Sequence, residues 1–257
     1  MPTFIRLHLE GLQQSWGEYT SNTERPTQRY PTRSGIGGLL CASLGLLRGD
    51  ARIPEVHSGI RVHSRILREG LTAQDYANHT NFTEEDPHQK ARAKKSWRDR
   101  RLEIFEIESA KAEAGKQIWR DFLEDWAFEV LVEISPKFPL PLQELEGALR
   151  EPKFPQFLGR KSCSPLYPVY SETLSLGSPM EGFRLPREGE FPGSSKERYS
   201  DGGTIHIDAP NLANLNIPES WAILPVGVRD VVRSPQGRIF HERRGWLLQP
   251  PQEKSCS

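Results

Sequence analysis

Three segments of the chain alternate between apolar and polar residues, and stretches with helical spacing separate them. In the first, Ile5, Leu7 and Leu9 fall on one face and Arg6, His8 and Glu10 on the other. Ile60, Val62 and Ile66, with Ser64 between them, repeat the pattern, and so do Phe128, Val130, Val132 and Ile134 against Glu129, Leu131 and Glu133. Successive side chains of a strand point to opposite faces, so each segment is predicted as a half-buried strand. After the first strand, Ile36, Leu39, Leu40, Leu44 and Leu47 recur at helical spacing behind Thr32 or Ser34 as the N-cap. A second, Pro-bounded helix is predicted over 142–149. The order strand, helix, strand, excursion, strand, helix is that of a split β-α-β unit of the ferredoxin-like kind, so the expected fold class is α+β.

Between the second and third strands, residues 70–117 are rich in charge and poor in branched apolar residues, which reads as a partly helical excursion from the core. After Phe157 the chain is rich in Pro, Gly and Ser, with short candidate strands at 203–208, 221–232 and 237–247, a smaller β-rich region. No repeat of fixed period occurs. A length of 257 residues permits one large domain or two small ones.

Charge is balanced in sum, 34 Lys and Arg against 34 Asp and Glu, but it is segregated along the chain. Residues 25–48 contain Arg25, Arg29, Arg33 and Arg48 and no acid, residues 90–101 hold seven bases and one acid, and five arginines lie within 229–244. Distribution matters more than the sum, so a nucleic-acid partner stays open. No run of 18 apolar residues occurs, which excludes a transmembrane helix and makes a membrane partner unexpected. The start, Met1-Pro2-Thr3-Phe4-Ile5-Arg6, lacks a charged-then-apolar secretory pattern, so a cytoplasmic location is expected. The three cysteines, Cys41, Cys163 and Cys256, are scattered with no Cys-x-x-Cys, indicating neither a disulfide framework nor a zinc site; no metal and no cofactor is expected.

The most informative stretch runs Arg25-Pro26-Thr27-Gln28-Arg29-Tyr30-Pro31-Thr32-Arg33-Ser34-Gly35-Ile36-Gly37-Gly38-Leu39-Leu40. It sets guanidinium groups and hydroxyls ahead of a helix N-terminus, whose free N–H groups and dipole attract anions. The glycines either admit a phosphate or sugar to the main chain or allow tight helix packing, with the arginines solvated. No Gly-Lys-Ser/Thr follows, so this is not a P-loop.

At these residues the chain resembles the CasD subunit family of the type I-E CRISPR surveillance complex (Cascade), within the RAMP superfamily of RNA-binding proteins. Four blocks carry the resemblance in family order across residues 4–165. They are Leu9-Glu10-Gly11-Leu12-Gln13-Gln14-Ser15-Trp16-Gly17; Arg25–Gly45; Trp119-Arg120-Asp121-Phe122-Leu123-Glu124-Asp125-Trp126-Ala127-Phe128; and Phe157-Leu158-Gly159-Arg160-Lys161-Ser162-Cys163. The C-terminal third matches more loosely, through Val228-Arg229-Asp230 and residues 238–246. Leu12 stands where the family often has Pro and Gly37 where it has an aliphatic residue, Ser164 is an extra residue, and Asp75-Tyr76-Ala77-Asn78-His79-Thr80 carries two insertions.

The resemblance implies a ferredoxin-like (RRM/RAMP) palm over 1–69 and 118–165, an inserted thumb over 70–117 and a smaller β-rich C-terminal half over 166–257. It implies a non-catalytic clamp on the 5′ handle of the CRISPR RNA, beside a CasC-like backbone subunit and a CasA-like large subunit, with target DNA nearby. A single-stranded handle is held through phosphates and splayed bases. Arg25, Arg29, Arg33, Arg160 and Lys161 are the expected phosphate contacts, and Ser34, Gly35, Gly37 and Gly38 the expected backbone donors. Gln14, Thr27, Thr32 and Ser162 complete the expected RNA-binding set. Trp16 either stacks on a base or closes the first loop from within the core. Arg243 and Arg244 either line the same groove or are solvated. In the thumb, Lys94, Lys95 and Arg98 lie along nucleic acid or form a solvated helical face with Glu103 and Glu106.

The alternative is a metal-independent endoribonuclease that processes precursor CRISPR RNA, which needs a base for a 2′-hydroxyl and an acid for the leaving oxygen. Tyr30, His57, His63, His79, His88, His206 and His241 are the candidates, and none sits in a recognisable motif. No catalytic residue is therefore expected. A protein-only scaffold is the third class; it predicts no RNA in the purified complex.

Overall fold

The computed structural model describes every residue except 18–22, 80–115, 192–197, 201, 211, 214, 216, 235–238 and 252–257. The chain opens with β1 (Thr3–Glu10), then four short strands, β2 (Gln13–Gln14), β3 (Trp16–Gly17), β4 (Glu24–Arg25) and β5 (Thr27–Gln28). Helices α1 (Arg33–Leu44) and α2 (Arg52–Ser58) lead into β6 (Ile60–Arg68), β7 (Leu71–His79), β8 (Lys116–Glu124) and β9 (Ala127–Ile134). Helix α3 (Leu142–Arg150) and strands β10 (Tyr170–Ser175), β11 (Ile205–Ile207), β12 (Ala222–Ser234) and β13 (Ile239–Gln249) complete it.

One antiparallel sheet organises the molecule, in the order β10-β1-β9-β6-β11-β13-β12. The alternating segments of the sequence are three adjacent inner strands, β1, β9 and β6: Ile5 pairs with Val132, and Val132 with Val62. Ile5, Leu7, Leu9, Val62, Val130 and Val132 face α1 and α3 and bury a single core with Ile36, Leu40, Leu145 and Leu149. Strand β10 and strands β11 to β13, from the region expected to be a smaller β-rich half, join this same sheet on its two flanks.

Two expectations need correction. Helix α1 was expected to reach Leu47, but it stops at Leu44 because Gly45 takes φ 74°, and the Gly45 and Leu46 amides close onto Ala42 and Cys41. Leu47 is consequently 68 % exposed. The strands were expected to be half-buried, yet Arg6, His8 and Glu10 are buried too. Glu129 meets Arg6 and Arg65 within the sheet, each at 3.1 Å, and the chain after Ser178 covers that face with Arg184, which reaches Glu172 and Glu190. Burial pushes the Glu129 carboxyl up to about 7 against the pull of Arg65 and Arg6. A polar alternation thus becomes a second interior once partners of opposite charge arrive from far along the chain.

Strands β7 and β8 form an antiparallel pair outside the main sheet, where the sequence suggested partly helical structure, and β2 and β4 pair with β8. The rest of the expected thumb, including Lys94, Lys95, Arg98 and His88, lies outside the described residues.

Candidate nucleic-acid interface

The turn after β1 is built from the inside outward. The Gln14 amide donates to the carbonyls of Leu9 and Trp126 and accepts from Trp16 Nε1 at 3.2 Å. Trp16 has no exposed surface, and its ring lies so close to α1 that a Cβ on Gly35 would come within 2.8 Å of it. The expected base-stacking alternative therefore gives way to the core one: neither Gln14 nor Trp16 presents a surface to a ligand. Thr27 Oγ1 accepts from the Trp16 amide at 2.8 Å, stapling β3 to β5.

Helix α1 begins with Thr32 as its N-cap, the Thr32 hydroxyl accepting from the Gly35 amide at 3.3 Å. Gly37 lies beyond the first turn, where an amide is spent inside the helix, as is that of Gly38, so their expected role as backbone donors is corrected. Gly37 instead lets His57 of α2 approach: a Cβ there would stand 2.4 Å from its ring. Gly38 is exposed with open space above it, and Ser34, half-buried, sits with its hydroxyl 3.3 Å from that of Thr32.

The arginines separate into two groups. Arg29 ion-pairs with Glu69 at 2.7 Å and lies over the Trp126 ring, and Arg33 Nε donates to the His57 carbonyl at 2.8 Å. Arg25 and Arg160 converge with an arginine that sequence reasoning left without a role, Arg120. Strand β4 runs parallel to β8 with Arg25 beside Arg120, and Arg160 Nη2 donates to the Arg25 carbonyl at 3.0 Å.

The loop that carries Arg160 is closed by backbone hydrogen bonds. Leu158 and Cys163 close it through the Leu158 amide and the Cys163 carbonyl at 2.7 Å, and Gly159 takes φ 90° against the Ser15 carbonyl. The Arg160 guanidinium stacks 5.0 Å from the Phe122 ring centroid, and its Nη1 is buried with no hydrogen-bond partner. Burial and the neighbouring Arg120 and Arg25 charges lower its proton affinity below the usual arginine value. Lys161 and Ser162 are exposed beside it. Ser162 and Arg120 also line a groove of about 340 Å³ that runs along β7 and β8 past Gln74 and Asp75. The Arg120 and Arg25 charges oppose that of Arg160, and an anion lying across them relieves that repulsion.

Arg243 and Arg244 lie on β13 opposite Val228 and Gly227. Among the acid–base candidates, Tyr30 and His206 are buried and stack on each other with ring centroids 4.0 Å apart. His63 is buried on the opposite face of the sheet, 3.5 Å from Glu133. No group of three metal-ligating side chains occurs among the described residues.

A family model described as CRISPR-associated protein (Cas_Cas5) matches residues 4–232. The chain belongs to the Cas5 family. Its relatives include the CRISPR system Cascade subunit CasD of Escherichia coli (strain K12), 31% identical over 190 residues, or 70% of this chain and 75% of that one. Two solved structures share the fold. One, titled a crystal structure of Cas protein, has a TM-score of 0.54 at 22% identity and covers 96% of this chain and 95% of its own. The other, a CRISPR RNA-guided surveillance complex, has a TM-score of 0.58 at 20% identity over 96% and 89%.

Proposed function

We propose that this chain is a non-catalytic, RNA-binding subunit of a type I-E-like Cascade surveillance complex, clamping the 5′ handle of the CRISPR RNA in antiviral defence. The observation that carries this is the cationic surface of Arg25, Arg120, Arg160 and Lys161, held by the hydrogen-bonded Gly159 turn. Strands β1, β6, β9 and β10 with α1 and α3 on one face constitute the ferredoxin-like RAMP palm. The β7–β8 pair is the root of the thumb. Handle phosphates lie across the guanidinium groups. Leu12, which accepts from the Asp125 amide, and Leu71, paired with Glu124 at the start of β7, are 75% and 74% exposed and offer apolar contact to the CasC-like backbone or CasA-like large subunit. The complex works in the cytoplasm, where its guide meets target DNA.

The test is guide retention. With the tagged complex, Arg120→Glu and Arg160→Glu are expected to cut the recovered RNA at least about tenfold. For the purified chain, each neutralised phosphate contact is expected to flatten the salt dependence by about 0.7 in log Kd per log salt. Guide recovery and salt slope equal to wild type in both variants would overturn the reading.

A further inference from the structure

A cavity of about 620 Å³ opens at one end of the inner strands of the seven-stranded sheet, where β6 begins and β9 ends, and the phosphate clamp does not use it. Its walls bring together two guanidinium groups, Arg33 and Arg61, two carboxylates, Glu133 and Asp208, and the apolar surfaces of Pro136 and Pro210. Each polar wall is fixed from behind. Arg33 Nε is tied to the His57 carbonyl at 2.8 Å, and the buried Asp208 accepts the Val62 amide at 3.2 Å. Glu133 takes Arg61 Nη1 at 3.3 Å and lies 3.5 Å from His63 Nε2; these two neighbours hold its carboxyl below the usual range, so it is ionised at neutral pH.

This set of groups is wrong for a phosphate. An anion drawn by Arg33 meets two carboxylates in the same cavity, and their repulsion offsets the attraction. It is right for a nucleobase, whose flat faces suit apolar walls and whose edges carry both donors and acceptors. Guanine uses the whole set: N1–H and N2–H are adjacent donors for one carboxylate, while O6 and N7 accept from a guanidinium. Uracil has no exocyclic amine to give. Resting on the RNA-binding reading above, we propose that this cavity receives a guanine base splayed out of the bound single strand, with Asp208 or Glu133 taking its Watson–Crick edge and Arg33 or Arg61 its Hoogsteen edge. Arg33 is then a base-reading residue, not a phosphate contact, and the segment from Arg25 to Arg33 joins the backbone clamp to a sequence-reading pocket.

The experiment measures binding of the full-length chain, by fluorescence anisotropy, to four short oligouridine RNAs that differ at one central position: U, C, A or G. The guanine oligonucleotide is expected to bind at least about tenfold more tightly than the all-uridine one, the scale of one good bidentate base contact. Asp208→Asn keeps an acceptor for the Val62 amide, and Glu133→Gln changes a residue on the cavity rim. At least one of them, and the double variant, is expected to bring the guanine-to-uridine ratio below about threefold. The rim variant keeps the idea testable if the buried one does not fold. Equal affinity for all four RNAs, or a guanine preference that survives both variants, overturns the base pocket and leaves the phosphate clamp standing. Failure of wild type to bind any of the four removes the RNA-binding reading and this pocket with it.

Discussion

Glu10 is the most demanding test of how the second interior is held. Its carboxylate has no exposed side-chain surface and accepts from Arg198 at 2.6 Å, Tyr199 at 2.8 Å and Arg68 at 3.0 Å, with His8 Nε2 also 3.0 Å away. Burial alone would raise its pKa, but the bonds from His8, Tyr199 and Arg68 overcome that and hold it at about 2 against an ordinary 4.5. At about 1.4 kcal/mol for each factor of ten, the folded state gains about 3 kcal/mol from keeping this group ionised. A depressed folded pKa gives stability that is complete well above 4.5 and is lost as pH falls through 4.5 toward 2. Glu10→Gln should therefore cost about 3 kcal/mol at pH 7, measured by urea unfolding, and the difference from wild type should shrink by roughly 2 kcal/mol at pH 3. Working with the difference removes the other titrating groups, such as Glu190, which is also held at about 2, and Glu129, which is shifted upward. A cost under about 0.5 kcal/mol at pH 7, or one that does not change between pH 7 and pH 3, refutes the reasoning.

The turn that aims Arg160 makes a sharper, local prediction. Gly159→Ala must place a Cβ 1.8 Å from the Ser15 carbonyl at φ 90°, so it should cost more than about 2 kcal/mol and release guide RNA, whereas Gly17→Ala, with open space around it, should stay within about 0.5 kcal/mol by thermal unfolding. Trp16→Ala should behave as a core truncation and lower stability by about 3–5 kcal/mol in denaturant titration; a loss under about 1 kcal/mol would return Trp16 to the surface. Repeat RNA incubated with the purified chain in EDTA should remain uncut, since Tyr30 and His206 are stacked in the interior; a specific product would make the chain a nuclease.

The helix-facing half of the sheet was readable because its residues obey a period of two with apolar side chains, and water alone dictates where these go. The other half was not. Arg6, His8 and Glu10 carry the pattern of a solvent face, and only the arrival of Arg184, Arg198 and Tyr199, more than a hundred residues later in sequence, turns them inward. Local periodicity holds no information about a cover that distant. The end of α1 shows a smaller case of the same limit: Leu47 continues the helical spacing, but a left-handed Gly45 decides the matter, and spacing carries no sign of φ.

The interface followed a related logic. The segment from Arg25 to Gly38 was visible as a cluster, yet its members do different things, since side chains adjacent in sequence diverge in space. Thr32 caps, Gly37 packs on His57, Arg29 binds Glu69, and Arg33 turns to the cavity beside Asp208. The cationic surface is instead assembled from three separate places: β4, β8 and the Gly159 turn. Arg120 stood in plain view in the block Trp119–Phe128, surrounded by Asp121 and Glu124, and its local charge gave it no distinction. What singles it out is the parallel pairing of β4 with β8, a contact between residues far apart in the chain that leaves no periodic trace. A cationic surface of this kind is legible in sequence only as separate basic residues near turns, and the geometry decides which of them meet.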